Sequence, residues 1–151
     1  WQGLHFTVLS PDNIVPRAEN PDSCTLLLTD GKHHILLTGD ADLSVEYNIL
    51  PKLDKIHVLQ VGHHGSKTST GEALVRHTQP DIALISSGRW NPWHFPNNEV
   101  MARLKQQGTQ SYNTAETGQI SLLFHENKIE IQTARAEFSP WYRRLIGLKG
   151  K

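Results

Sequence analysis

Three apolar runs in this chain each end on residues that can hold a metal ion or move a proton. Ile-Leu-Leu-Thr-Gly closes on Asp40, His-Val-Leu-Gln-Val-Gly leads into His63 and His64, and Asp-Ile-Ala-Leu-Ile opens a loop that carries His94. A carboxylate with imidazoles suits zinc or manganese. In an open α/β sheet, ligands collect beyond the carboxyl ends of the strands. If the three runs are neighbouring strands, Asp40, the histidine pair and His94 meet along one edge. Each ligand would then stand on its own rigid strand end, which suits a site that must hold its geometry against a phosphate.

Each feature also has a plainer role. Asp40 would serve as the cap of the helix that follows it. His63 and His64 would hydrogen-bond backbone in a turn, and Trp-His-Phe-Pro around His94 would be a packing corner. Taken together, an acid and a histidine pair at successive strand ends favour a site. His5, His33, His34, His57, His77 and His125 fall on strand or helix patterns and read as structural or surface residues.

The positioning elements are legible from periodicity and turn chemistry. Residues 4–10 read as a strand ended by Pro11-Asp12-Asn13, and 12–23 as a loop. Residues 24–29 and 33–38 form a hairpin about Asp30-Gly31. A helix over 42–53 is broken by Pro51. A strand over 56–61 precedes a helix over 70–78 capped by Ser69 or Thr70, then a strand over 81–86. Residues 88–96 are an irregular loop rich in Trp, Asn and Pro. A helix over 97–107, with Val100, Leu104 and Met101 inward, ends at Gly108. Residues 111–114, 120–124 and 128–132 read as antiparallel strands turning at Glu126-Asn127, and 139–148 as a short basic helix. The fold class is α/β (α+β), a mixed sheet with flanking helices.

Composition narrows the function classes. The chain has 151 residues, 37% hydrophobic and 20% charged, which suits one globular domain rather than a disordered or fibrous chain. Its one cysteine, Cys24, excludes a disulfide framework and cysteine-based zinc knuckles. No apolar run spans a bilayer, and the first residues do not resemble a signal peptide. The formal net charge of zero excludes a chain that is basic throughout. Basic residues concentrate at the end, where Arg135, Arg143, Arg144, Lys149 and Lys151 face only Glu137. Residues 133–151 therefore read as a basic tail on a single domain over 1–151, a solvated or juxtamembrane segment in the plainer reading, and in a single-strand-binding module one whose Trp141 and Tyr142 would stack bases. The nine histidines are the unusual count. A first residue of Trp inside an apolar run is expected of a piece of a longer chain.

The blocks Ile-Leu-Leu-Thr-Gly-Asp, Val-Leu-Gln-Val-Gly-His-His-Gly-Ser-Lys-Thr-Ser-Thr and Asp-Ile-Ala-Leu-Ile-Ser-Ser-Gly, with the Trp-His-Phe-Pro-Asn-Asn stretch after them, closely resemble the metallo-β-lactamase-like domain of the ComEC competence family. The resemblance runs from residue 1 to about 124. It implies an αββα sandwich, of which this chain would be the second half, and a two-metal hydrolase site using Zn2+ or Mn2+. Asp40 would bridge the metals and His63 or His64 would complete a shell. Asp40, His63 and His64 are thus the candidate catalytic and metal residues, and Ser66, Lys67 and His94 the candidate phosphate contacts. The partners implied are incoming single-stranded DNA and the rest of a channel in a bacterial inner membrane. The superfamily's His-x-His-x-Asp-His cluster is absent from these residues. The expectation is therefore a chain that alone binds metal weakly and cuts nothing, and whose uncovered sheet pairs with a second copy or swaps domains. A non-catalytic module that guides single-stranded DNA is the competing reading.

Overall fold

The computed structural model describes residues 3–14, 19–126 and 128–135. Six strands form one mixed sheet, in chain order: β1 (His5–Ser10), β2 (Thr25–Thr29), β3 (His34–Leu37), β4 (Val58–Gln60), β5 (Ile82–Ile85) and β6 (Gln110–Asn113). β1, β2 and β3 are antiparallel, with β2 and β3 joined at Asp30-Gly31 as the sequence predicts; β3 through β6 run parallel. The crossovers carry α1 (Leu43–Ile49), α2 (Glu72–Thr78) and α3 (Asn98–Gln106). After α4 (Thr114–Thr117), β7 (Ile120–Phe124) and β8 (Ile129–Thr133) make a separate two-stranded sheet. The α/β class with a mixed sheet is as expected.

One face of the large sheet makes the core. Leu36, Leu59 and Ala83 stand in register across β3, β4 and β5. They pack with Val45 and Ile49 of α1, Leu74 and Val75 of α2, and Val100 and Leu104 of α3, all buried. Met101, expected inward, is half-buried at the edge of this cluster. On the opposite face Val58 and Ile82 are buried, and Ile82 shares a cavity wall with Ile129 and Ile131 of β8. Farther along that face, Phe6 and Val8 of the edge strand β1 are 56% and 59% exposed.

The structure corrects two local readings. The 111–114 segment does not join β7 and β8 in an antiparallel sheet; as β6 it extends the large sheet parallel to β5. The helix α3 between β5 and β6 provides a crossover long enough for parallel pairing, which no local pattern in residues 111–114 reveals. Neither Ser69 nor Thr70 caps α2; Gly71 does. Both hydroxyls are engaged elsewhere, Ser69 Oγ donating to Ala41 O at 2.7 Å and Thr70 Oγ1 accepting from Gly62 N at 2.9 Å. Thr133, the first residue of the expected tail, pairs with Ile120 in β8, and residues 136–151 of that tail lie outside the described residues. The basic helix over 139–148, with Trp141 and Tyr142, lies outside the described residues, as does Trp1. Among the described residues no helix is long and apolar enough to cross a membrane.

Candidate functional site

Because β3, β4 and β5 are parallel neighbours, their carboxyl ends open on the same edge, where two tight turns and the loop after β5 follow. Gln60 ties the first two together. Its Oε1 accepts from Thr38 N and Gly39 N, both at 3.1 Å, while Thr38 Oγ1 donates to Gln60 O at 2.9 Å. His63 N then donates to Gly39 O at 2.9 Å, which fastens the histidine turn to the turn that carries Asp40.

Asp40 does not cap the helix after it. Asp42 does, its carboxylate accepting from Ser44 N and Val45 N. The capping role that the sequence offered for Asp40 is filled two residues on, and the Asp40 side chain borders an open cleft of about 730 Å³. His63 and His64 border the same cleft, with Ser86, Ser87, Asn91, Trp93 and Phe95. The edge thus brings together the carboxylate and the histidine pair. Ser66, Lys67 and His94 do not border it. Ser66 is buried with its hydroxyl against Thr68 Oγ1 at 3.0 Å, while Lys67 and His94 are exposed.

The histidine turn is held in an uncommon backbone state. His63 and His64 have φ of 47° and 56°, in the left-handed region that side chains with a Cβ avoid, and Gly65 follows at 87°. Among the described residues only five non-glycine residues have positive φ, and three of them are His63, His64 and His94. Such residues cost on the order of 1–3 kcal/mol each and persist where surrounding contacts over-determine them. Here those contacts are visible: Gly62 N on Thr70 Oγ1, Asn97 N on Gly65 O at 2.8 Å, and His64 Nδ1 on Ser86 O at 2.7 Å. A carbonyl only accepts, so His64 Nδ1 carries the proton and, in the neutral ring, Nε2 keeps its lone pair. That arrangement fixes the ring and leaves one nitrogen able to accept a proton or ligate.

Sequence reasoning assigns the other histidines to structure, and several are visibly engaged there. His33 Nδ1 meets Asp30 Oδ2 at 2.9 Å, and that pairing holds the Asp30 carboxyl well below the usual carboxylate range. His57 Nδ1 accepts from His34 N at 3.0 Å, and burial lowers the His57 pKa.

The loop 88–96 supplies part of the cleft lining; sequence reasoning brings it to this edge through His94, whereas Asn91, Pro92, Trp93 and Phe95 are the residues that line the cleft. Asn91 organises it, Nδ2 donating to Gly88 O at 2.8 Å and to Phe95 O at 2.9 Å while Oδ1 accepts from Phe95 N at 2.7 Å. The Asn-Pro dipeptide at 91–92 is the available signal. Ser87 anchors the near end to the start of α4, its N donating to Thr114 Oγ1 at 3.0 Å.

The family model described as Metallo-beta-lactamase superfamily matches residues 1–89. The chain is 56% identical over 148 residues to Recombination protein 2 of Haemophilus influenzae, covering 98% of this chain and 19% of that protein. It is 38% identical over 120 residues to ComE operon protein 3 of Bacillus subtilis, covering 78% of this chain and 15% of that protein. It is 28% identical over 147 residues to Competence protein ComA of Neisseria gonorrhoeae, covering 95% of this chain and 21% of that protein. The chain therefore spans about a fifth of the length of these relatives or less. The superfamily implies metal binding, yet no group of three or more His, Cys, Asp or Glu able to hold a metal ion exists among the described residues. Asp40 and the histidine pair share a cleft without making a closed metal centre, which needs three or four ligands.

Proposed function

The chain belongs to the metallo-β-lactamase superfamily as a ComEC-type, competence-related domain, and from that premise we propose that its cleft acts on the phosphodiester backbone of DNA during uptake. The observation that carries the reading is the convergence of Asp40, His63 and His64 on one cleft, with the histidines on a turn held in the left-handed backbone region. In this reading Asp40 and the two imidazoles face the phosphate and its attacking water, and the exposed Lys67 and His94, outside the cleft lining, are further phosphate contacts. Zn2+ or Mn2+ would require ligands beyond these three. A channel-like parent in a bacterial inner membrane belongs to the same proposal.

The test is cleavage of an end-labelled DNA single strand with Mn2+ or Zn2+ added. It compares this chain alone with the chain embedded in a polypeptide of the length of its curated relatives, each beside Asp40→Ala. Cleavage by the longer protein, abolished by Asp40→Ala with the thermal midpoint unchanged, is the expected result. Cleavage that survives Asp40→Ala sinks the assignment of this cleft.

The absence of a three-donor group among the described residues favours a second reading, a module that guides single-stranded DNA without cutting it. Binding with strong salt dependence and no cleavage by the longer protein would select it. The exposed Phe6 and Val8 on the edge strand also support pairing of two copies along β1. A dimer mass by light scattering that reverts to monomer with Val8→Lys is expected. A monomer at high concentration removes that idea.

A further inference from the structure

We propose that the loop 88–96 is a nucleobase-stacking platform, with Trp93 as its principal ring, so that the cleft takes an unpaired strand and not a duplex. This deepens the DNA reading above and rests on it.

Trp90 and Trp93 are 90% and 71% exposed. Indoles are normally buried over most of their area, so two of them on one short loop, facing solvent, are unspent contact surface. They do not dangle from a slack segment. The three Asn91 amide bonds close the loop on itself, Ser87 fixes its entry to Thr114, and its exit is held where Asn97 N donates to Gly65 O. A ring presented on a pinned backbone loses little freedom when a ligand stacks on it, which is the property a binding platform needs.

The chemistry of the cleft selects the ligand. The lining joins a polar set, Asp40, His63 and His64, to an apolar one, Pro92, Trp93 and Phe95. The Phe95 ring lies 6.1 Å from that of His63, so the aromatic loop comes close to the histidine turn. A nucleotide has the matching two-sided character: an uncharged apolar base face beside a polar sugar-phosphate. The guanidinium of Arg89 stands exposed beside Trp90 and makes no ion pair among the described residues, which leaves it for a phosphate. In a duplex the base faces are covered by their neighbours, so only an unpaired strand presents them to an indole.

The test is metal-free, in chelator, so that it reads binding and not cleavage. Anisotropy of a labelled thymidine oligonucleotide of about 12 residues is compared with that of an abasic strand of the same length and charge, and with a duplex. Stacking on aromatic rings contributes roughly 1–3 kcal/mol per base, so the thymidine strand is expected to bind about five- to a hundredfold tighter than the abasic strand. Trp93→Ala is expected to erase most of that difference, Trp93→Phe to keep much of it, and Trp90→Ala to have a smaller effect. Because both rings are largely exposed, unchanged far-ultraviolet circular dichroism is expected of all three variants. Equal binding of thymidine and abasic strands overturns the platform and leaves the DNA reading standing. So does a duplex bound as tightly as the single strand. Failure of every nucleic acid to bind overturns both and turns the exposed indoles toward a protein surface.

Discussion

Gly65→Ala is expected to destabilise the protein by about 2–5 kcal/mol and to disorganise the candidate site from its centre. Two costs add at this position. Its φ of 87° lies where an L side chain is strained, worth roughly 1–2 kcal/mol. A Cβ added there would also stand 2.5 Å from Pro96 Cβ and 2.9 Å from Pro96 Cα. Neither atom belongs to a flexible tip, and overpacking of this kind costs about 1–3 kcal/mol. The contact joins the histidine turn to the aromatic loop, so relieving it must move His63 and His64, or Trp93, or both. Gly31→Ala separates the two contributions. Gly31 has nearly the same φ, 89°, with nothing within 4 Å of an added Cβ. Urea denaturation of both variants is the measurement. If the two lose equal stability, the Gly65–Pro96 contact is not what holds the cleft.

The second large effect concerns pH. Glu46 of α1 is 2% exposed, and its carboxylate accepts from the backbone N–H of Thr70 and, at 2.7 Å, of Gly71. It thereby satisfies the amides just before α2, in the segment whose Thr70 hydroxyl receives Gly62 N next to His63. Burial pushes the Glu46 pKa from about 4.5 up to about 7. The two N–H donors and the positive charge of Arg103 pull it down without cancelling the burial, and Asp42 adds to the rise. The folded state therefore holds this proton more tightly than the unfolded chain. Its contribution to stability is fully present below pH 4.5 and is lost as pH rises through about 7. A shift of this size corresponds to roughly 3 kcal/mol across the window. Glu46→Gln, which cannot ionise, is expected to flatten that part of the profile. The difference in unfolding free energy between wild type and Glu46→Gln, measured from about pH 4 to 8, should fall steadily with pH. Parallel profiles would falsify the assignment. Glu46→Ala, which strands the two N–H groups, should cost about 1–3 kcal/mol for each at every pH.

How much of this is legible in the sequence depends on the range of the forces involved. The hairpin is legible in Asp30-Gly31, because a short loop between paired strands admits few residue types and Gly31 supplies the positive φ that this four-residue connection uses. The helix α3 is legible in the spacing of Val100 and Leu104, since one buried face imposes a period of 3.6 on local sequence. Asp40 and the histidine pair stand out because each follows an apolar run. The parallel adjacency of β3 and β4 then puts them on one edge.

The features hidden from the sequence depend on partners distant along the chain. The parallel placement of β6 beside β5 is decided by packing of α3 against the sheet, not by residues 111–114. Whether Thr70 caps a helix or braces Gly62 depends on a hydrogen bond across eight residues, and both uses suit the same hydroxyl. Glu46 looks like an ordinary helix-surface acid until the Thr70–Gly71 amides are brought to it from 24 and 25 residues away. The tryptophans at 90 and 93 read as loop residues, because exposure is a property of the finished surface. The sequence alone determined most element types, though not the short α4, together with the resemblance to the family and the acid–imidazole character of the strand ends, all set by local pattern. Tertiary structure alone decided which of those groups share a cleft, which aromatic rings stay exposed beside it and which carboxylate is buried, because each needs chain segments far apart to meet.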